Sequence, residues 1–80
     1  MNVTVKFFSF KTLVGMSELV LDLPAGATLN DLIGLVARRF PAFSEEVKNA
    51  TYLINQQAGD PDAMLKDGDQ VILLKMLGGG

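Results

Sequence analysis

Three consecutive glycines, Gly78-Gly79-Gly80, are the residues of this sequence whose type and position suggest chemistry. They follow a strand-like apolar run, Val71-Ile72-Leu73-Leu74, with Lys75-Met76-Leu77 carrying the chain off it. Glycine has no Cβ, so such a segment can thread a narrow channel and bring a terminal carboxylate against another protein's catalytic groups. An α-carboxyl is an anion at neutral pH and a poor acyl electrophile, so reaction there first needs a leaving group. Any side chain at Gly79 or Gly80 would crowd the approach to the acyl carbon. The six residues beyond Leu74 reach roughly 20 Å when extended. A Gly-rich end is also an ordinary place for a chain to fray, so the remaining residues decide between the two readings.

Composition removes most other chemistry. The chain has no Cys and no His, which excludes disulfides, thiolate nucleophiles, imidazole bases and nearly all zinc or iron ligation. Seven Lys and Arg against nine Asp and Glu give a formal charge of −2, so nucleic-acid binding has no electrostatic basis. The longest apolar runs fall far short of the ~20 residues that span a bilayer. Met1-Asn2-Val3-Thr4-Val5 alternates like a strand and lacks the regions of a secretory signal, so a cytoplasmic home is expected. At 80 residues there is room for one core. A hydrophobic content of 49% is high for so small a domain; it implies a dense core or an apolar surface kept for a partner.

Elements that would position the glycine end follow from periodicity. Val3, Val5 and Phe7 alternate as one face of a first strand. Lys11 to Met16, with Gly15, reads as a hairpin turn, and Ser17 to Leu23 as a second strand with Leu19, Leu21 and Leu23 on one face. Thr28 followed by Asp31 fits a helix N-cap. Leu29, Leu32, Ile33, Val36 and Phe40 then form one apolar stripe, with Arg38 and Arg39 in the last turn and Pro41 ending the helix. Phe43 to Ala50 has room for a short helical turn. Thr51 to Asn55 reads as a strand with Gln56-Gln57 as its turn. Asp67-Gly68 turns the chain into a final strand, Gln70 to Leu74. A helix after two strands covers one face of a sheet, and the last strand is expected to pair with the first in its middle. The predicted class is α+β, a mixed β-grasp sheet with one main helix, over residues 1–75, with a flexible tail at 76–80.

With these residues in view the chain resembles the MoaD/ThiS family of ubiquitin-like sulfur carriers, most closely its molybdopterin synthase branch. The resemblance rests on Val3 to Phe8, on Leu23-Pro24-Ala25-Gly26-Ala27-Thr28 before the helix, on Asp31-Leu32, and on Arg39-Phe40-Pro41. It rests also on Leu65 to Val71 and on the glycine terminus, where Gly79 and Gly80 match the family's diglycine. Lys75-Met76-Leu77 departs from that branch, which usually carries prolines there. The resemblance implies that a ubiquitin-activating-type (MoeB-like) adenylyltransferase uses ATP to adenylate the Gly80 carboxylate, and that sulfur then converts it to a thiocarboxylate. It implies a large synthase subunit (MoaE-like) as acceptor partner, in a heterotetramer, with sulfur passing to a pyranopterin to build its dithiolene. On this reading Gly80 is a cosubstrate, the catalytic side chains are the partner's, and no cofactor is bound.

A docking surface follows from alternation. If Val3, Val5 and Phe7 face the helix, Phe8 and Phe10 face away from it; with Val71 and Leu73 inward, Ile72 and Leu74 point outward. Phe8, Ile72 and Leu74 then make an apolar patch at the root of the tail. With Met76 and Leu77 it is expected to bind both the activating enzyme and the acceptor. Asp60-Pro61-Asp62 and Asp67-Gly68-Asp69 lack the ligand spacing of a calcium loop and read as turns, so no metal is expected. Three alternatives stay open: a thiazole-forming sulfur carrier, a ubiquitin-like protein modifier, and a β-grasp interaction module with an inert tail.

Overall fold

Alternation sets the first strand, and a change of period ends it. The computed structural model describes residues 1–75, Lys48 in its backbone only; the expectations for Met76, Leu77 and Gly78 to Gly80 fall outside the described residues. β1 (Asn2–Lys6) buries Val3 and Val5 completely. It pairs antiparallel with β2 (Glu18–Asp22) in an unbroken register, Val3 opposite Leu21 and Val5 opposite Leu19.

The link between them is not the simple hairpin turn expected from Lys11 to Met16. Beyond the buried Phe7 the chain makes a 3-10 turn (Phe8–Phe10) and then a one-turn helix, α1 (Lys11–Val14), which stops at Gly15. The period thus changes from two residues to about three. Phe10 therefore returns to the core instead of facing outward with Phe8. It is 3% exposed and meets the Phe43 ring edge-on, centroids 5.1 Å apart, whereas Phe8 is 52% exposed.

α2 (Leu29–Arg39) begins as the sequence predicts. The Asp31 N–H donates to Thr28 Oγ1 at 3.2 Å, and the Thr28 N–H donates to Asp31 Oδ2 at 3.0 Å. This reciprocal box satisfies two of the helix's free amides. Leu29, Leu32, Ile33 and Val36 are buried against the sheet, and Arg38 and Arg39 occupy the last turn. Phe40 ends the helix and meets Phe7 edge-on at 5.6 Å. Pro41 opens a further turn, α3 (Pro41–Ser44), where its missing N–H costs nothing; Phe43 within it is fully buried.

A 3-10 turn (Val47–Asn49) leads to β3 (Ala50–Ile54), which hairpins onto β4 (Gln57–Ala58). The tight turn is Asn55-Gln56, with φ of 50° and 70°, one residue earlier than the Gln56-Gln57 expected from sequence. Positive φ at both central residues is what a type I′ turn requires. Gly59 then runs so close to the helix that a Cβ there would lie 2.8 Å from Leu29 Cδ2 and 3.0 Å from the Tyr52 carbonyl oxygen. β5 (Gln70–Lys75) completes a five-stranded sheet in the order β2-β1-β5-β3-β4, parallel to β1 and antiparallel to β3. With α2 on one face, this is the mixed β-grasp sheet that the sequence predicted.

One carboxylate ties the start of β5 to its surroundings. The Lys66 N–H donates to Asp69 Oδ2 at 2.8 Å and the Asn55 Nδ2 to Asp69 Oδ1 at 2.9 Å. Asn55 Oδ1 in turn accepts from the Gln70 N–H at 2.9 Å. Asp69 is 9% exposed, so its loss would leave partly buried donors unpaired. Replacing Asp69 with Ala should therefore destabilise the fold by ~2–3 kcal/mol, measurable by chemical denaturation.

Tyr52 lies among the inward residues of β3, and burial pushes its phenol up to about 12 from the ordinary 10.0. Its hydroxyl donates to the Val47 carbonyl at 3.3 Å. Below pH 10 the phenol is neutral in both the folded and unfolded chain, and its contribution to stability is constant. Between about pH 10 and 12 the unfolded chain ionises first, so stability falls. Denaturation across this window should show a steeper loss in the native chain than in Tyr52→Phe; equal slopes would contradict the assignment.

Candidate functional site

The last described strand, β5, lies in the middle of the sheet. β5 has a strand hydrogen-bonded on each side, and its Val71 and Leu73 are fully buried. Its ladder with β1 ends at Lys6 opposite Ile72, whereas its ladder with β3 continues to Lys75 opposite Ala50. Where β1 turns away, the Phe8–Phe10 turn lies against β5. Lys75 is thus the last described residue before the glycine-ended segment, and it stands beside that turn.

Ile72 and Leu74 lie on β5, and the Phe8–Phe10 turn packs against that strand. Ile72 and Leu74 are half-buried on the sheet face away from α2. Phe8 belongs to the 3-10 turn and not to a strand. Its φ of 22° is unusual for a bulky residue, and such conformations cost of order 1–3 kcal/mol.

Two residues missed by the sequence reading share the face. Ile72 lies in register between Lys6 on one side and Leu53 on the other, and Leu53 is half-buried. Val20, 60% exposed, stands across β1 on the edge strand, opposite Thr4. The alternation of Thr51 to Asn55 carried the signal for Leu53: with Tyr52 and Ile54 inward, it had to face out.

A groove of about 440 Å³ opens beside the exit, lined by Ser9, Phe10, Thr12, Leu13, Glu46 and Lys75. Leu13 is 43% exposed there. None of these side chains is a nucleophile poised beside a base, and among the described residues no three acidic side chains cluster to hold a metal ion. Asp60 and Asp62 form a local turn, the Asp62 N–H donating to Asp60 Oδ1 at 2.8 Å. What this end offers is exposed apolar side chains and an exposed cation at Lys75. No helix among the described residues is long and apolar enough to cross a membrane.

Known proteins share this arrangement. The model of the ThiS family matches residues 5–80. A molybdopterin synthase sulfur carrier subunit from Chlamydomonas reinhardtii is 30% identical over 83 aligned residues, covering 100% of each chain. Among solved structures, a candidate molybdopterin converting factor subunit 1 from Pyrococcus furiosus superposes with a TM-score of 0.90 at 32% identity, over 96% of this chain and 99% of that one. Subunits 1 and 2 of the molybdopterin-converting factor from Helicobacter pylori form a complex. A chain of that complex has the same fold, with a TM-score of 0.73 at 23% identity and 100% of both chains covered. The chain described here belongs to the ThiS family of β-grasp sulfur carriers, and within it resembles the small subunits of molybdopterin synthase.

Proposed function

We propose that the chain carries sulfur as a thiocarboxylate on Gly80 and donates it, as the small subunit of a molybdopterin synthase, to the dithiolene of molybdopterin. The observation that carries this is the family match running through residue 80, so that it takes in the glycine end. A β-grasp body supports it by placing the strand that leads to that end in the middle of the sheet. Residues 76–80 act as an extension from the folded body at 1–75, and Gly78 and Gly79 keep the path to Gly80 free of side chains.

The chemistry proceeds in balanced steps. The Gly80 carboxylate attacks the α-phosphorus of ATP on an adenylyltransferase, releasing pyrophosphate and leaving an acyl adenylate. The terminal sulfur of a persulfide then displaces AMP to form an acyl disulfide. A thiol reductant releases the thiocarboxylate from it. The sulfur is next transferred to the pterin precursor on a large subunit, and water restores the carboxylate. No step needs a side chain of this protein, in keeping with a sequence without His or Cys. An anionic terminus calls for Lys or Arg in the partner's pocket. Pairing with a large subunit is supported by the carrier-subunit relative and by the two-subunit complex that shares the fold; assembly as a heterotetramer is part of the proposal.

One residue added after Gly80 should abolish thiocarboxylate formation while leaving the fold intact. The check is intact mass after incubation with activating enzyme, ATP and a sulfur donor: the native chain gains the mass of oxygen replaced by sulfur, and the extended chain gains nothing. A native chain that stays unchanged overturns the carrier reading. One that instead becomes amide-linked to lysines identifies a protein modifier.

Phe8, Ile72 and Leu74, with Met76 and Leu77, form the docking patch in this proposal. Phe8→Asp should weaken binding to the large subunit by roughly thirtyfold or more, the scale of an interface hot spot. Phe8→Gly relieves the positive φ, so it should hold or raise the melting temperature while also weakening binding. Unchanged affinity in both variants would remove Phe8 from the interface.

A further inference from the structure

The two edges of the sheet differ. On one side β4 is only two residues long, a common way of blunting an edge. On the other, β2 runs five residues, Glu18 to Asp22, and among the described residues no strand pairs with its outer side. It carries no proline, no lysine and no bulge, and its register with β1 is continuous. These are among the devices that keep an edge from accepting another strand; the one β2 does carry is charge, in Glu18 and Asp22.

Hydrogen-bond parity says which backbone groups are free. The Phe7 N–H donates to the Ser17 carbonyl at 2.9 Å and the Leu23 N–H to the Met1 carbonyl at 2.8 Å. In an antiparallel pair the bonded positions recur every second residue, so Leu19 and Leu21 also direct their amides and carbonyls to β1. Glu18, Val20 and Asp22 direct theirs away from the sheet. The free edge therefore offers three donors and three acceptors. The side chains of these three residues are exposed on the outer face. On the helix side the strand carries half-buried Leu19 and Leu21.

Charge selects the occupant. A second copy pairing antiparallel about Val20 would place Glu18 directly opposite Asp22 at both ends, and like charges in that position are destabilising. Glu18 faces Lys6 across the ladder without an ion pair, and the Asp22 side chain, though 3.4 Å from the Met1 ammonium, is 88% exposed. Both carboxylates are thus available to cations.

We propose that the outer edge of β2 is a docking site for an extended segment of a partner protein, added antiparallel as a sixth strand. That segment places Lys or Arg opposite Glu18 and Asp22, a β-branched residue opposite Val20, and apolar residues between them. Main-chain bonds supply affinity and the two charge pairs fix register, the logic of strand addition to a sheet edge. The site uses neither the glycine end nor the Phe8 patch, so it stands or falls apart from the sulfur chemistry.

The test uses the full chain and a capped synthetic peptide with the core Lys-Val-Ile-Val-Lys, beside a control with Glu in place of both Lys. Titration followed by amide exchange should protect the N–H groups of Glu18, Val20 and Asp22, which exchange freely without peptide. Reversing the charges with Glu18→Lys and Asp22→Lys should weaken the basic peptide roughly tenfold and favour the acidic one. Val20→Pro, which removes the central free donor without touching the β1 ladder, should abolish binding. Absence of protection at those three amides at saturating peptide overturns the proposal, as does equal affinity for both peptides. Protection that appears with protein concentration alone would assign the edge to a second copy and overturn it as well.

Discussion

The position of β5 governs the rest of the molecule. A strand hydrogen-bonded on both sides, with Val71 and Leu73 fully buried, cannot slip by one residue without turning its outward residues into the core. That constraint fixes the register of everything attached to it. At its start, Asp69 binds the preceding turn and the β3–β4 turn to the same strand. At its end, β1 has already turned away after Lys6, so only β3 accompanies the chain to Lys75. The last described residues of β5 are thus paired on one side and left open on the side that β1 has vacated.

The elements that could be read from sequence are those whose cause is local. Thr28 and Asp31 close on each other within one helical turn, and the apolar stripe from Leu29 to Val36 needs only a surface to face. Alternation placed Val3 and Val5, and Val71 and Leu73, correctly because each strand is straight over that span. Phe10 was misplaced because the same alternation was carried past Lys6, where the chain had already become helical. The turn at Asn55-Gln56 depends on a distant partner: Asn55 is held by Asp69 and Gln70, fourteen and fifteen residues on. No window around Asn55 contains that information. Gly59 is the same kind of case, since its lack of a Cβ is explained only by Leu29 and Tyr52.

For the site itself the balance is reversed. The glycine end suggested a chemistry from residue type alone, since that suggestion needs no side chain and no fold, and it lies outside the described residues. The surface around it was legible only in part. Ile72 and Leu74 face outward as strand period predicts; Phe8 is exposed as alternation predicts, but from a turn of positive φ that alternation does not foresee. The high hydrophobic content now has two destinations. One is the core between the sheet and α2; the other is the outer face, where Ile72, Leu74, Leu53, Phe8 and Val20 remain partly or largely exposed. An apolar outer face of that kind is difficult to account for in a free monomer and natural in a subunit.

Geometry then links the exit and the free edge. Adjacent strands lie ~4.7–4.9 Å apart, so a strand added outside β2 would sit about 14 Å from β5, three spacings away. Glu18, Lys6, Ile72 and Leu53 occupy one continuous row across the outer face, joining the charged edge to the apolar centre. A partner resting on Ile72 and Leu74 could therefore extend an arm along β2 without spanning a second domain. Main-chain bonding at the edge would orient the body, leaving the apolar centre to exclude water around the departing chain. The two surfaces differ in chemistry, and for that reason their contributions can be separated: salt weakens the charge pairs at β2 and leaves apolar contact at β5 largely unaffected.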